Sequence, residues 1–585
     1  MPQQRLELTW IGKGEEPQLE PRILIEDPDK SYGEAGSDNM LIHGDNLLAL
    51  KALEQEYAGK VKCIYIDPPY NTGSAFEHYE DGLEHSEWLN LMVPRLRLLR
   101  NLLSDDGTIF VSIDNNEMAY LQVIMDEIFE RSNRKNIVTL KRGSVTGAKV
   151  RNPGLVNISE FLISYSKNKD CWKPNRVYGT KDRDSRYSSY ISNHEEPYEH
   201  WKFCSLLDAF SVFKGVKKTK VKKALGESFE SEIISFVLQN ADKVIQFATL
   251  DDKNVSQEAV VLKYKSKSDD SKVYYLDRGI DISPYYVFKG KLILFVRDRL
   301  KEIDGELSFS QPLTDIWMDV LPNDLHNEGG VDFRKGKKPE KFLQRVLELS
   351  TDEGDIVLDS FLGSGSTAAV ANKMKRRWIG IELGEHANTH CLPRLKSVVD
   401  GIDTAGITKS LDWKGGGGFK FYNLAPSLLR KDDLGQWVID GRYNADQLAA
   451  AMAKHEGYTY APDTDRYWKQ AYSTENDYLY TTTQLITPAV VDHILEQLGP
   501  EESLLICCKA YQKGAAARDP RINLHKIPSI LTDRCEFGKD DYSLNIVDAP
   551  KDEDAPEFVP AGQQAARAAE AEELRKYGKQ KNMFD

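Results

Sequence analysis

From Leu41 onward, short apolar runs alternate with amphipathic stretches, and that alternation predicts the elements. Residues 41–43 read as the end of a strand, Asn46–Tyr57 as a helix and Val61–Ile66 (VKCIYI) as a strand. Residues 83–103 have helical periodicity around a central proline, 107–113 (GTIFVSI) read as a strand and 117–129 as a helix. Two further strands are expected at 136–140 and 161–166. The alternation is lost between about Lys167 and Ser310, where Tyr and Lys are abundant. It returns as a helix at 340–349, a strand at Ile356–Asp359, a helix at 367–374, a strand at 378–382 and a helix at 386–399. Strands and helices in this rhythm predict an α/β class, a parallel sheet covered by helices.

The expected organisation is one α/β domain in two pieces, 41–166 and 311–400, interrupted by an insert at 167–310. A polar extension, 1–40, precedes it. The glycine run Gly415–Gly418 reads as a linker, followed by a small accessory α/β domain (415–548) and a charged tail (549–585). Residues 563–577 of the tail read equally as a lone helix or as disordered chain.

Composition narrows the class. The 585 residues are 41% hydrophobic and 29% charged, enough for packed cores and too apolar for disorder throughout. No run approaches the ~18 apolar residues of a membrane span, and Met1–Trp10 lacks the apolar core of a secretion signal. Seven cysteines, none at C-x-x-C spacing, imply neither a disulfide framework nor a zinc site. A cytoplasmic chain with no metal is the expectation. The net charge of −14 argues against a generic polyanion binder, but not against basic residues gathered into one cleft.

Two motifs carry chemistry. Asp359-Ser-Phe361-Leu-Gly363-Ser-Gly365 follows a strand and opens a helix, where glycines let backbone approach a ligand and the helix start offers free N–H groups. Glu382 ends the next strand, where a carboxylate can accept from both ribose hydroxyls. Alone, these residues fit a nicotinamide oxidoreductase almost as well. The second motif, Asp67-Pro68-Pro69-Tyr70, directly follows the strand Val61–Ile66. An Asp carboxylate and the Pro68 carbonyl can take both hydrogens of an exocyclic amino group, and Tyr70 offers a flat face for a base turned out of a duplex. No cysteine follows a proline, so a Pro-Cys nucleophile is missing.

Together the motifs resemble those of the amino-methylating DNA methyltransferases, in the order of the β group, with a target recognition region between them. DPPYNTG (67–73), GTIFVSIDNNE (107–117) and Lys338-Pro339-Glu340 extend the likeness to the modification subunit of type III restriction–modification systems. It covers roughly 41–166 and 320–400. The resemblance implies a permuted Rossmann-like fold that uses S-adenosylmethionine. Phe361, Gly363 and Gly365 would line its methionine and ribose, with Glu382 on the ribose hydroxyls and Asp359 and Lys338 near the methionine part. His43-Gly44-Asp45 resembles the motif that places an acid near the adenine, a role compatible with Asp45 as a helix N-cap. Asp67, Pro68, Pro69 and Tyr70 match the catalytic loop.

The implied activity is methylation of adenine N6 in double-stranded DNA. A stand-alone cytosine-N4 methyltransferase and a specificity subunit active only in a complex are the alternatives. The family likeness implies a homodimer, with the region from Phe419 serving assembly. It also implies a separate helicase–nuclease subunit, since the chain has no phosphate loop for a nucleotide-driven motor. DNA contacts are expected among Lys141, Arg142, Lys149 and Arg151, in the lysine run 214–223, and at Arg334, Lys335 and Lys337. Tyr274, Tyr275, Tyr285 and Tyr286 read as core or interface rather than stacking platforms.

Overall fold

The computed structural model describes residues 7–70, 81–143, 154–253, 255–279, 282–303, 305–320, 325–333, 337–532 and 534–543. Residues 71–73 of the DPPYNTG stretch, Lys149, Arg151, Arg334, Lys335 and the tail from 549 lie outside them. The chain forms two compact units, one of residues 1–175 with 314–585 and one of residues 176–313.

The first unit is built on an eleven-stranded sheet. Its strands are β1 (Leu24–Glu26), β2 (Tyr32–Gly33), β3 (Met40–His43), β4 (Val61–Ile66), β5 (Leu103–Ile113), β6 (Arg134–Lys141), β7 (Ser159–Ser166), β8 (Ile316–Trp317), β9 (Ile356–Asp359), β10 (Arg377–Glu382) and β11 (Gly418–Leu424). The spatial order is β1-β11-β3-β10-β9-β4-β5-β7-β6-β8, with β2 on the side of β11. Between them run α1 (Asn46–Tyr57), α2 (Asp81–Leu102), α3 (Met118–Phe129), α4 (Glu340–Ser350), α5 (Ser366–Lys373) and α6 (Leu392–Val399). The core beneath α1, α2 and α3 is aliphatic, from Ile42, Leu50, Ile64, Leu96, Val111 and Met125, with Trp88 fully buried among them.

The sheet is mixed rather than wholly parallel. β11-β3-β10-β9-β4-β5 run parallel, but β7 is antiparallel to both β5 and β6. The reason is in the connection. Among the described residues no helix lies between β6 and β7, and a parallel pairing needs a crossover. The six parallel strands end at His43, Ile66, Ile113, Asp359, Glu382 and Leu424 along one carboxyl edge.

Two further expectations change. The polar stretch 1–40 contributes β1 and β2, and its Glu20 and Arg22 are buried. The glycine run is not a spacer. Gly415, Gly416 and Gly417 all have positive φ (100°, 121° and 79°), and a Cβ at Gly418 would stand 2.3 Å from the Glu34 nitrogen. Glycine is required there because three successive left-handed residues thread past neighbouring backbone. The chain then enters the sheet between β1 and β3 as β11, burying Phe419 and Phe421. Beyond it lies a five-stranded sheet (Thr459–Tyr460, Ala471–Thr474, Asp477–Ile486, Ser503–Tyr511, Ile522–Lys526) with the helices Ala445–Glu456 and Pro488–Leu495.

The second unit holds a six-stranded antiparallel sheet, ordered Phe203–Ser205, Ser189–Ile191, Val244–Thr249, Lys291–Phe295, Tyr285–Phe288, Tyr274–Leu276. Strands this short leave no readable period. Tyr275 and Tyr286 meet edge-on at 5.3 Å within an aromatic cluster that includes Tyr198 and Trp201. In the lysine run, Lys214 pairs with Glu232 and Lys218 with Asp208, while Lys217, Lys220, Lys222 and Lys223 are exposed.

Behind the carboxyl edge, Glu340 at the start of α4 is sealed from water. Its Oε2 accepts from Lys373 Nζ at 2.7 Å and the Ile407 backbone N–H at 3.1 Å, and its Oε1 from Arg394 Nη2 at 2.9 Å. Lys373 also reaches Asp403, and Arg394 Nη1 reaches the Ser366 hydroxyl at 2.7 Å. Breaking one member of such a pair strands a buried charge, at about 3–5 kcal/mol.

A chain ending at residue 415 is expected to lose the first unit's fold, because β11 is an inner strand. One ending at residue 426 keeps it. Thermal denaturation of the two in parallel checks this, and equal midpoints would rule it out.

Candidate functional site

The two sequence motifs meet through β4 and β9, which pair parallel with Val357 opposite Cys63 and Leu358 opposite Ile64. The loops after these strands therefore open side by side at the carboxyl edge, where doubly wound sheets bind ligands.

The glycine loop is held from beneath. Asp359 accepts from the Phe361 N–H at 2.9 Å and from the Thr367 hydroxyl at 2.6 Å, which ties both ends of the turn to the strand. Burial pushes the Asp359 carboxyl up to about 7. Gly363 and Gly365 have φ of +56° and +80°. A Cβ at Gly365 would press on the Cys391 backbone at 3.3 Å. Cys391 ends a π-turn, Ala387–Cys391, that precedes α6, and its thiol donates to the Gly363 carbonyl at 3.1 Å. The expected helix over 386–399 is thus continuous, but its first turn is widened to a π-turn where it meets the loop.

Glu382 ends β10 with its carboxylate between two backbone donors, Gly363 N–H at 2.7 Å and Gly384 N–H at 3.1 Å. Burial raises its carboxyl, and these two bonds oppose that. Beside it the Gly44 N–H donates to the Glu382 carbonyl. Asp45 is the α1 N-cap, accepting from Leu48 N–H at 3.1 Å. It also accepts from Tyr542 N–H at 2.9 Å, so a returning C-terminal segment rests on it, and the buried Arg95 guanidinium lies 3.5 Å away. Ser360 Oγ, between Asp359 and Phe361, is buried without a hydrogen-bond partner. An orphaned hydroxyl, a cradle that a Cβ would crowd and a half-buried carboxylate at the next strand end together suit a nucleoside bearing ribose hydroxyls and a polar tail.

The proline loop is braced from two sides. Trp88 of α2 donates its indole N–H to the Pro69 carbonyl at 2.7 Å. The Tyr70 hydroxyl donates to Asp67 Oδ1 at 2.7 Å. Lys338, before α4, donates to the Tyr70 hydroxyl at 2.5 Å and Glu160 Oε2 at 2.8 Å, with Asp67 Oδ1 at 3.2 Å. Burial raises the Asp67 carboxyl, and the Lys338 ammonium pulls it back down. Lys338 itself is raised: burial lowers it, but Asp67 and Glu160 outweigh that. Glu160 on β7 also accepts from Arg142, which lies over the Tyr70 ring.

Lys338, expected near the glycine loop, thus reaches the proline loop. Lys337, expected in a DNA cleft, turns inward and donates to the carbonyls of Glu328 and Val331. Those carbonyls, together with burial, hold it away from the surface. Trp88, Glu160, Arg394 and Cys391 were not singled out by sequence reasoning. Glu160 had a signal: it is the one charge in the apolar strand SEFLISYS.

A doubly wound α/β protein with a glycine loop and an acceptor-rich base loop on adjoining strands is the class these observations define. The chain belongs to the DNA methylase family, whose model matches residues 61–390. It is 37% identical over 422 residues to the probable HindVI Mod subunit of a type III restriction–modification enzyme from Haemophilus influenzae, covering 67% of this chain and 54% of that one. To the EcoP15I Mod subunit of Escherichia coli it is 26% identical, covering 73% and 72%. To the EcoPI Mod subunit of Escherichia phage P1 it is 28% identical, covering 62% and 60%. The chain therefore spans about half the length of the first of these relatives.

Trp88→Phe leaves the Pro69 carbonyl without its donor and should cost ~1–3 kcal/mol of stability by urea denaturation. An unchanged midpoint would count against the brace.

Asp359 gives a pH signature. Its folded pKa is raised, so its contribution to stability is full below about pH 4 and is lost as pH rises through about 7. Asp359→Asn cannot ionise. Between pH 4 and 8 the wild type should lose stability relative to this variant, and parallel urea midpoints across that range would contradict the assignment.

Proposed function

We propose that this chain methylates the N6 amino group of an adenine turned out of double-stranded DNA, using S-adenosylmethionine, as the modification subunit of a type III restriction–modification system. The observation that carries this reading is the pairing of the Asp67–Tyr70 loop with the Gly363–Gly365 loop on adjoining strands. The Mod subunits it resembles support the system, with a second copy of this chain, a separate helicase–nuclease subunit and a cytoplasmic location as its corollaries.

Glu382 would hold the cofactor's ribose hydroxyls, and the backbone at Phe361, Gly363 and Gly365 its methionine and ribose, beside Asp359. Asp45, already capping α1, would lie toward the adenine. The cofactor supplies an electrophilic methyl group when bound. Asp67 and the Pro68 carbonyl accept the two amino hydrogens, since Trp88 already occupies the Pro69 carbonyl. Withdrawing those hydrogens toward oxygen favours positive charge as it develops on the nitrogen, an electrostatic contribution that needs no covalent intermediate. An ionised carboxylate accepts more strongly than a neutral group. Tyr70 would stack on the purine once its hydroxyl leaves Asp67.

Asp67→Ala should abolish methyl transfer while S-adenosylmethionine binding, measured by calorimetry, stays nearly intact. DNA modified by the wild type and hydrolysed to nucleosides should contain N6-methyladenine by mass spectrometry. N4-methylcytosine alone would overturn the adenine assignment.

A further inference from the structure

The Lys338 ammonium has three N–H bonds and three partners: the Tyr70 hydroxyl, Glu160 Oε2 and Asp67 Oδ1. Asp67 Oδ1 also receives the Tyr70 hydroxyl. One oxygen, Oδ1, of the carboxylate assigned to the target amino group is therefore already engaged by a cation and a phenol, and Asp67, Lys338 and Glu160 are each largely buried.

A neutral amino group cannot displace a buried ammonium from its only carboxylate, because the stranded cation would bear the full cost of desolvation. Here the ammonium has a second carboxylate, closer than the first: 2.8 Å to Glu160 against 3.2 Å to Asp67. Glu160 is fixed in turn by Arg142 at 3.0 Å and by its place in β7.

We infer that Glu160 is a positioning residue that acts through Lys338. It takes over the ammonium when the adenine amino group enters, so that Asp67 Oδ1 is freed without leaving an unpaired charge. This rests on the adenine reading given above. Removing the Glu160 charge leaves the ammonium bound to Asp67, and the base must then compete against an ion pair. Glu160 thereby affects substrate entry without touching substrate.

The same arrangement fixes two opposite pH effects. Asp67 faces Lys338 ahead of α4, Glu160 on β7, Tyr70 in its own loop and Tyr65 on β4, with Asp359 on β9 and Arg142 beyond. The negative charge of Glu160 makes Asp67 harder to ionise, and Lys338 makes it easier. If ionised Asp67 is the active form, activity falls as pH drops through its pKa. Glu160→Gln should then move the acid limb of kcat/KM to lower pH, and Lys338→Met should move it higher.

The test measures methyl transfer from tritiated S-adenosylmethionine to unmethylated plasmid DNA, with thermal denaturation as a check on folding. Glu160→Gln should lower kcat/KM for DNA by about tenfold, with cofactor affinity unchanged, and Glu160→Asp should restore most of it. On the pH plateau above the acid limb, where Asp67 is ionised in every variant, Glu160→Gln in a Lys338→Met background should change kcat/KM by less than about twofold, because the residue through which it acts is gone. Equal losses in both backgrounds, or an acid limb that moves in neither variant, would overturn the inference while leaving the functional reading intact. A wild-type chain that transfers no methyl group would overturn both.

Discussion

A carboxylate sealed from water has to be answered by opposite charge and by donors, and Glu340 is answered from three directions. Lys373 comes from the helix that the glycine loop opens, Arg394 from the helix behind that loop, and Ile407 from the turn beyond it. Because each partner lies on a different element, the loop can close in only one arrangement without leaving charge unpaired. Space is equally constrained: a Cβ at Gly406 would stand 2.1 Å from Glu340 Oε2. Two residues earlier in sequence, Lys338 reaches the opposite way, to Tyr70 and Asp67. The short Lys338-Pro339-Glu340 segment therefore touches both halves of the site. Proline between them fixes the chain as α4 begins.

The central sheet was legible where strands were long and their neighbours parallel. Val61–Ile66 and Ile356–Asp359 were expected and are found at those bounds, because buried parallel strands read as near-continuous apolar runs, here interrupted only by Lys62 and closed by Asp359. The direction of β7 was not legible, since an apolar run carries no sign of which way its partner runs. β1 and β2 were hidden by their two- and three-residue lengths. The glycine run misled for a physical reason: the freedom that makes glycine a linker residue also makes it the residue for a crowded left-handed path.

In the site, the loop residues were legible because their chemistry is local. Asp67, Pro68 and Tyr70 present their groups within four consecutive positions, and Phe361 to Gly365 lie in one turn. What surrounds them was not local. Trp88 reaches Pro69 from a helix whose periodicity made it an ordinary core residue, and its indole N–H bond depends on where α2 docks. Glu160 meets Lys338 only because β7 lies beside β5 and α4 begins beneath it. Lys337 and Lys338 are adjacent, yet one turns into a bed of carbonyls and the other toward two carboxylates. Charge type alone could not separate them.

The place of β11 bears on how the protein is made. Leu24, Ile25 and Glu26 of β1 pair with Leu424, Asn423 and Tyr422, and the other face of β11 pairs with β3. A ribosome releases the N-terminal strand long before its neighbour, so β1 has nowhere to add to the sheet until residue 424 has emerged. Pairings of such sequence separation are slow to close. The exposed flank of β3 is, through most of synthesis, an open strand edge of the kind that recruits wrong partners. Completion of the sheet is thus deferred until residue 424 has emerged, which ties assembly of its carboxyl edge to a strand made long after the first.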